Sequence, residues 1–388
     1  MSKSKKQSSR IVDSAQVLQA LTTVLQRYIP LELTHTRIPV EELYAILAYA
    51  SVHETSVHTA CQELAGAPSG NRVREVLMRS LPNRRELQRQ LNTALRAQLP
   101  RVFFKGQRRY DLALDLTLIP YHGTALAEGD VLRAQAKSGT NHFHGYATVS
   151  VVHDRKRYVL ALRFVQEHET MVDIARTLLD RVRRLKIFVQ RVYLDKEFYA
   201  VAVFRMLERR HLGFILPVPL RGKRGHGPAL CRTRQSTWTT YTMKSHQHGP
   251  YPLRVAVVKR NRRKGQRKVV RCFLFAVGGI ASRTPPRQVF ELYRRRFGIE
   301  TSYRQMNQVR ARTSSRDTRL RLPLVGFALL LVNLYVRLRH AVSPDRCRRP
   351  CAPPPLSLRQ LADHLAQAVV EQFRLVPLQQ VHPASSFS

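Results

Sequence analysis

Acids are scarce in this chain, so three carboxylates whose surroundings could do chemistry stand out: Asp115, Asp195 and Glu300. Glu300 lies in Tyr293-Arg-Arg-Arg-Phe-Gly-Ile-Glu-Thr-Ser-Tyr-Arg304, which sets one acid among cations and aromatics. At 100° per residue of a predicted helix, Tyr293, Arg296, Glu300, Arg304 and Asn307 share one stripe, so the acid is flanked by groups able to hold a phosphate backbone. Asp115 belongs to the alternating run Asp111 to Ile119, on the face of Asp111, Ala113 and Thr117 and opposite Leu112, Leu114, Leu116 and Leu118. Asp195 follows the apolar run Phe188 to Leu194, at the carboxyl end of a predicted strand, where α/β sheets place their ligands. Carboxylates from two strands and a late helix meet only through tertiary folding, and two divalent ions ~4 Å apart would let them do so without mutual repulsion. In-line displacement at a phosphodiester develops charge on both the entering and the leaving oxygen, and such an ion pair neutralises both.

Each acid also has an ordinary structural reading. Asp195 can cap the helix predicted to begin near Glu197. Asp115 can pair with one of many arginines, and Glu300 can make a helical ion pair with Arg296 or Arg304. Glu197 is a rival to Asp195, although its position suits a first-turn charge.

The elements that must position these residues can be read from the hydrophobic period. From Ile11 to about Leu99 the apolar residues recur at helical spacing, with short helices near Val40 to Ala50, Thr55 to Leu64 and Val73 to Leu81. These suit either a helix-turn-helix DNA-binding arrangement or a plain scaffold. After Gly106 the period becomes two, giving strands over Asp111 to Ile119, Tyr146 to Val152 and Arg157 to Arg163. A helix over Thr170 to Leu185, a strand over Phe188 to Leu194, a helix over Glu197 to Arg209 and a strand over Gly213 to Val218 follow. The order β-β-β-α-β-α-β is that of an α/β fold with an RNase H-like mixed sheet flanked by helices. Two further strands, Leu253 to Val258 and Val269 to Val277, separated by a basic turn from Lys259 to Lys268, read as a β-rich insertion. The predicted organisation is therefore an N-terminal helical DNA-binding region (1–109), a catalytic core (110–220), the insertion (221–280), the rest of the core with the glutamate helix (281–342), and a Pro-rich link with a C-terminal helix (343–388).

Lys and Arg number 66 against 26 Asp and Glu, a formal net charge of +40, which demands a polyanionic partner such as DNA, RNA or an anionic membrane. With 388 residues, 44% of them hydrophobic, the chain buries a substantial core and is no disordered tail. Its five cysteines form no even framework and no signal peptide precedes them, so a reducing cytoplasm is the expected compartment. Cys347 and Cys351 lie near His340 and His364, but their spacing and the neighbouring prolines do not suit a zinc knuckle. The most apolar run, Leu322 to Val336, is shorter than the roughly 20 residues of a bilayer span and is bracketed by arginines, which predicts a buried core helix and no membrane partner.

From about Tyr110 to His340 the chain resembles the DDE transposases of bacterial and archaeal insertion sequences, in the group with a Tyr-x2-Arg-x3-Glu-x6-Lys signature and a β-strand insertion domain. Asp115 in Leu114-Asp-Leu-Thr-Leu-Ile-Pro-Tyr-His-Gly123, Asp195 in Tyr193-Leu-Asp-Lys-Glu-Phe-Tyr199, and Glu300 match its three acids, and Tyr293 and Arg296 match its signature. Asn307 stands where the pattern has lysine, and Lys196 where a relative often has arginine. The resemblance implies an enzyme in which Asp115, Asp195 and Glu300 hold two Mg²⁺ ions, Mn²⁺ substituting. It implies cleavage at the terminal repeats of the element and transfer of the 3′-OH to target DNA, with Tyr293, Arg296, Arg304 and Asn307 at the DNA. A homodimer on double-stranded DNA, associated with the prokaryotic nucleoid, is the implied working form, and the helix Leu358 to Phe373 is the candidate contact. A nuclease of the same fold without strand transfer and a catalytically silent DNA-binding descendant are the alternatives.

Overall fold

The computed structural model describes residues 13–33, 36–106, 108–124, 129–153, 156–220, 229–264, 267–280, 283–342 and 356–376. At its centre is β1 (Arg109–Pro120), whose alternating aliphatics are buried on both faces. It runs antiparallel to β3 (Thr140–His153) and parallel to β5 (Phe188–Tyr193). Outside β3 lies β4 (Lys156–Val165), antiparallel, and outside β5 lies β6 (Gly213–Pro217), parallel. The helices α6 (Met171–Arg184) and α7 (Val201–Arg209) cross between these strands. This is the predicted mixed sheet with one addition, the short β2 (Leu132–Lys137), which pairs with the start of β3. Its largely exposed sequence carries no apolar alternation, the signal on which strand prediction rests.

The insertion does not form a separate sheet. β9 (Arg267–Gly278) pairs with β6, and β8 (Tyr251–Lys264) and β7 (Thr237–Met243) continue outward, making nine strands in one sheet among the described residues. Most of the basic segment read as a turn is strand: pairing continues to Lys264 opposite Arg267, with Arg260 directly opposite Arg271. Like charges facing each other weaken a ladder. Here the long hairpin is rooted in buried residues such as Val255, Val257, Leu274 and Ala276, and this apolar base outweighs the repulsion further out.

The helical region is built around α2 (Val40–Val52), in which every residue from Leu43 to Val52 is buried. On it pack α1 (Ser14–Tyr28) and α3 (Val57–Glu63), with α4 (Gly70–Ser80) against α3 and α5 (Arg84–Ala97) against α1, and Asp13, Ser56, Ser69 and Asn83 are side-chain N-caps of α1, α3, α4 and α5. Enclosed on all sides, α2 has no face for a groove, whereas α4 leaves Asn71, Arg74 and Arg79 exposed.

Toward the C-terminus come α8 (Pro286–Arg294), a 3₁₀ turn (Arg295–Phe297), α9 (Gly298–Asn307), α10 (Thr318–Val342) and α11 (Leu358–Phe373). The apolar run sits in α10, which is long and apolar enough to cross a bilayer, yet 83% of its most apolar window is buried inside the molecule, as a core helix requires. Helix α5 crosses it at Gly326, where a Cβ would run into Leu91. Two asparagines and a glutamine cover the outer edge of β4. Asn333 on α10 accepts from Val159 N at 2.9 Å and donates to Val159 O at 3.0 Å. Asn92 on α5 does the same at Leu162, at 2.7 and 2.9 Å, and Gln88 accepts from Phe164 N at 2.7 Å. An edge that would otherwise present unpaired backbone is thereby tied to the helices.

The proposed role of α11 as a dimer contact is corrected here. Leu358, Leu361, Ala362, Leu365, Ala368 and Val369 are buried, and the helix packs on α1 and α2 of its own chain. Ser14 Oγ meets His364 Nδ1 at 2.9 Å across that joint. Its apolar face already has an intramolecular partner. Cys61, Cys231 and Cys272 are free thiols, and Cys347 and Cys351 lie outside the described residues.

Candidate active site

Asp115 is 5% exposed, on the face of β1 that also carries Asp111 and Ala113. Asp111 is already committed to structure, since Tyr193 Oη donates to its Oδ2 at 2.7 Å and Arg191 stands 3.7 Å from the same oxygen. Asp195 follows β5, the parallel neighbour of β1 in which Tyr193 pairs with Ala113, so it comes level with Asp115 in the middle of β1. Asp195 accepts from Lys196 N at 2.6 Å as N-cap of the 3₁₀ turn Lys196–Phe198, so the capping reading holds. The predicted helix from Glu197 is in fact this turn, a break at extended Ala200, and then α7. Glu197 and Lys196 are exposed to solvent.

One guanidinium joins the two acids. Arg296 is 4% exposed, and its Nη2 lies 3.1 Å from Asp115 Oδ1 and 3.4 Å from Asp195 Oδ2. Its Nη1 donates to Tyr293 Oη at 3.1 Å, and Tyr293 Oη donates to Leu194 O, also at 3.1 Å, the carbonyl just before Asp195. Tyr293 is 2% exposed and packs on Tyr193 and Phe275. The pairing of Asp115 with an arginine, open in the sequence, is therefore observed, and the arginine comes from the signature itself.

The stripe drawn on one helix is divided. A 3₁₀ turn separates α8 from α9; Tyr293 and Arg296 are buried, while Arg304 and Asn307 on α9 are exposed. A continuous 100° period does not survive a tighter turn. Asn307 Oδ1 accepts from Arg310 Nε at 3.4 Å. Glu300 lies in the first turn of α9, and its side chain is outside the described residues.

Helix α9 is fastened to β1 at the level of Asp115. Tyr303 Oη donates to the backbone carbonyl of Asp115 at 3.1 Å and lies 2.6 Å from Thr148 Oγ1, and Thr148 is the cross-strand partner of Asp115. Burial, then the Asp115 charge, pushes the Tyr303 hydroxyl well up, so it remains a neutral donor. Burial likewise pushes the Tyr293 hydroxyl up, with Arg296 opposing. Thr148 and Tyr303 were not singled out from the sequence. The available signal was a hydroxyl in the middle of the apolar strand Tyr146 to Val152 and a tyrosine three residues beyond the glutamate.

The donor set fits a hard divalent cation. Two carboxylates bring oxygens to one point, where a positively charged group already sits, and Asp195 leaves one side open, its side chain being 30% exposed. Among the described residues no three His, Cys, Asp or Glu side chains converge, so any third ligand must come from beyond them.

A mixed RNase H-like sheet with one aspartate on the central strand and another just past its parallel neighbour is the arrangement of a class of phosphodiester-processing enzymes. The model of the Transposase DDE domain matches residues 106–334, and the chain belongs to that family. Among solved structures the chain resembles piggyBac transposase in its synaptic complex with hairpin DNA, at a TM-score of 0.55 and 12% identity, over 95% of this chain and 82% of that one. No curated protein matches the chain significantly.

Proposed function

We propose that the protein is the transposase of a prokaryotic insertion sequence, acting in the cytoplasm at the nucleoid, which cuts the ends of its element and joins the freed 3′-OH to target DNA. The observation that carries this reading is the convergence of Asp115 and Asp195 on one point, with the glutamate-bearing helix α9 hydrogen-bonded to β1 at Asp115 itself. Asp115, Asp195 and Glu300 would hold two Mg²⁺ ions, or Mn²⁺, their hard oxygen donors being suited to either. When bound, such ions supply an activated water and neutralise the leaving 3′ oxygen. The chain's own contribution is to hold the carboxylates in register. β1 and the loop after β5 set the aspartates, and the Tyr303 contacts to Asp115 O and Thr148 fix the helix that brings Glu300.

Exposed Arg304 and Asn307 on α9 are the residues of the stripe available to the DNA backbone in this conformation, and the basic β8–β9 hairpin and the exposed arginines of α4 are further phosphate contacts. Joining two ends to one target needs two active sites, so the working form is a homodimer on double-stranded DNA. The synaptic complex described for the piggyBac relative supports that reading by analogy of fold.

The test is incubation of the full chain with labelled element ends, Mg²⁺ and a target plasmid. Nicked ends and joined products are expected. Hydrolysis without joining would show a nuclease, and binding without nicking a silent descendant. In the same preparation, Arg304→Ala and Arg271→Ala should each reduce the log–log salt slope of DNA binding by about one.

A further inference from the structure

We propose that Arg296 is a displaceable internal counter-ion, a positioning residue that holds Asp115 and Asp195 together before divalent ions arrive and leaves when they bind. The inference rests on the metal-site reading above and adds what happens to the cation already there.

One carboxylate belongs to β1 and the other to the loop after β5, and they repel each other. A single nitrogen, Arg296 Nη2, reaches both, at 3.1 and 3.4 Å, so their oxygens lie no further apart than those two lengths together. A bridging Mg²⁺, with its ligands at about 2.1 Å, would take a place between those oxygens, and the place is filled by a side chain that is 4% exposed. One guanidinium brings a single positive charge to two negative ones, whereas a divalent ion brings two in a smaller volume. Ion and arginine cannot share the point, because two cations at such separation in a buried site repel strongly.

The backbone offers a route out. Arg296 sits in the 3₁₀ turn between α8 and α9, and a short 3₁₀ stretch between α-helices is where a hinge is often found. If that stretch takes up α-helical geometry, Arg296 joins the stripe of Glu300, Arg304 and Asn307 that the sequence period describes. The guanidinium would then face the phosphate backbone beside exposed Arg304 and Asn307. Tyr293, bonded to Leu194 O and to Arg296 Nη1, marks the resting end of that movement. The arrangement predicts an order of events in which the arginine is released to DNA only once the acids have their ions.

The experiment uses the full chain without DNA and reads Mn²⁺ binding by calorimetry and arginine accessibility by phenylglyoxal labelling with peptide mass spectrometry. Arg296→Gln should bind Mn²⁺ tighter on the order of tenfold or more, since no buried cation must be displaced. Arg296→Lys should fall between, because one ammonium cannot fork between Tyr293 and two carboxylates as a guanidinium does. In the wild-type chain, Arg296 should be protected without metal and labelled with Mn²⁺. Unchanged or weaker Mn²⁺ binding by Arg296→Gln, in a chain whose circular dichroism is unaltered, would overturn the proposal and make Arg296 a fixed support. So would continued protection of wild-type Arg296 at saturating Mn²⁺, which also covers the case of a misfolded variant. Asp195→Asn separates the two levels: Mn²⁺ binding that survives it undoes the metal-site reading itself, whatever Arg296 does.

Discussion

Replacing each aspartate by asparagine should separate catalysis from stability, because the two acids are buried to different degrees. Asp115 is 5% exposed and faces a guanidinium that is 4% exposed. Breaking a buried pair by removing one partner costs about 3–5 kcal/mol, since the remaining charge is left uncompensated. Here the loss is partly offset, for Asp195 still stands 3.4 Å from the same nitrogen. Asp115→Asn should therefore cost less than that range, roughly 2–3 kcal/mol. The Asp195 side chain is 30% exposed, so its share of the attraction is screened by water. Asp195→Asn should cost about 1 kcal/mol or less, as partly exposed pairs do. Both variants should lose Mg²⁺-dependent nicking of end DNA while still binding it. The double variant Asp115→Asn with Arg296→Met should recover stability relative to Asp115→Asn alone, because removing both members of a buried pair is far less costly than removing one. Urea unfolding followed by circular dichroism, beside a nicking assay with radiolabelled ends, measures all of this. Equal destabilisation by the two single variants would refute the assignment of Asp115 as principal partner of Arg296. Normal nicking by either would refute the active site.

Three other outcomes follow from the fold. Asn333→Leu keeps the side-chain volume but strands Val159 N and O in the core; at ~1–3 kcal/mol for each unsatisfied group, urea unfolding should register a loss of about 2–5 kcal/mol, and a change under 1 kcal/mol would mean that water reaches the β4 edge. His144 is held down to about 4, first by burial and then by Arg321, so it is neutral in the folded chain and protonates more readily when unfolded; its contribution is complete above pH 6.5, falls away as pH drops through 4, and amounts to roughly 3 kcal/mol, so the difference in unfolding free energy between wild type and His144→Gln should vary with pH in that window and stay flat above it. Removal of residues 356–388 should destabilise the helical region, because it uncovers the α1 and α2 surface on which Leu361, Leu365 and Val369 lie; a truncated chain that melts like the full one and fails only to pair DNA ends would restore α11 as an interchain contact.

The order of strands and helices along the core, and the elements that carry Asp115 and Asp195, were legible in the sequence because both depend on local pattern. β1 alternates, its apolar set is buried, and an acid on an otherwise packed strand has few explanations. The insertion was legible as β-rich but not as part of the same sheet, since pairing of β9 with β6 is a contact between segments far apart in the chain. β2 was invisible for a different reason, as a short exposed strand has no hydrophobic period to display. The apolar stripe of α11 was correctly read as needing cover, and the error lay in assigning that cover to a second chain. Amphipathicity specifies that a face is buried, never against what.

The break at Arg295–Phe297 is the instructive failure. Every residue of Tyr293 to Arg304 is compatible with helix, Gly298 excepted, and a period-based reading extends one helix through the whole segment. The contacts on either side of the 3₁₀ turn are tertiary: Tyr293 is held between Tyr193, Phe275 and the Leu194 carbonyl, and Tyr303 is held by Asp115 O and Thr148. Between these two anchors the residues take the tighter turn, and Arg296 lies on the acids. The stripe in the sequence and the split in the structure then describe two arrangements of the same segment, one with the arginine on the DNA side and one with it on the carboxylates. A sequence that encodes a phosphate-binding stripe and a fold that buries its central cation are reconciled if the site is built to exchange that cation for metal.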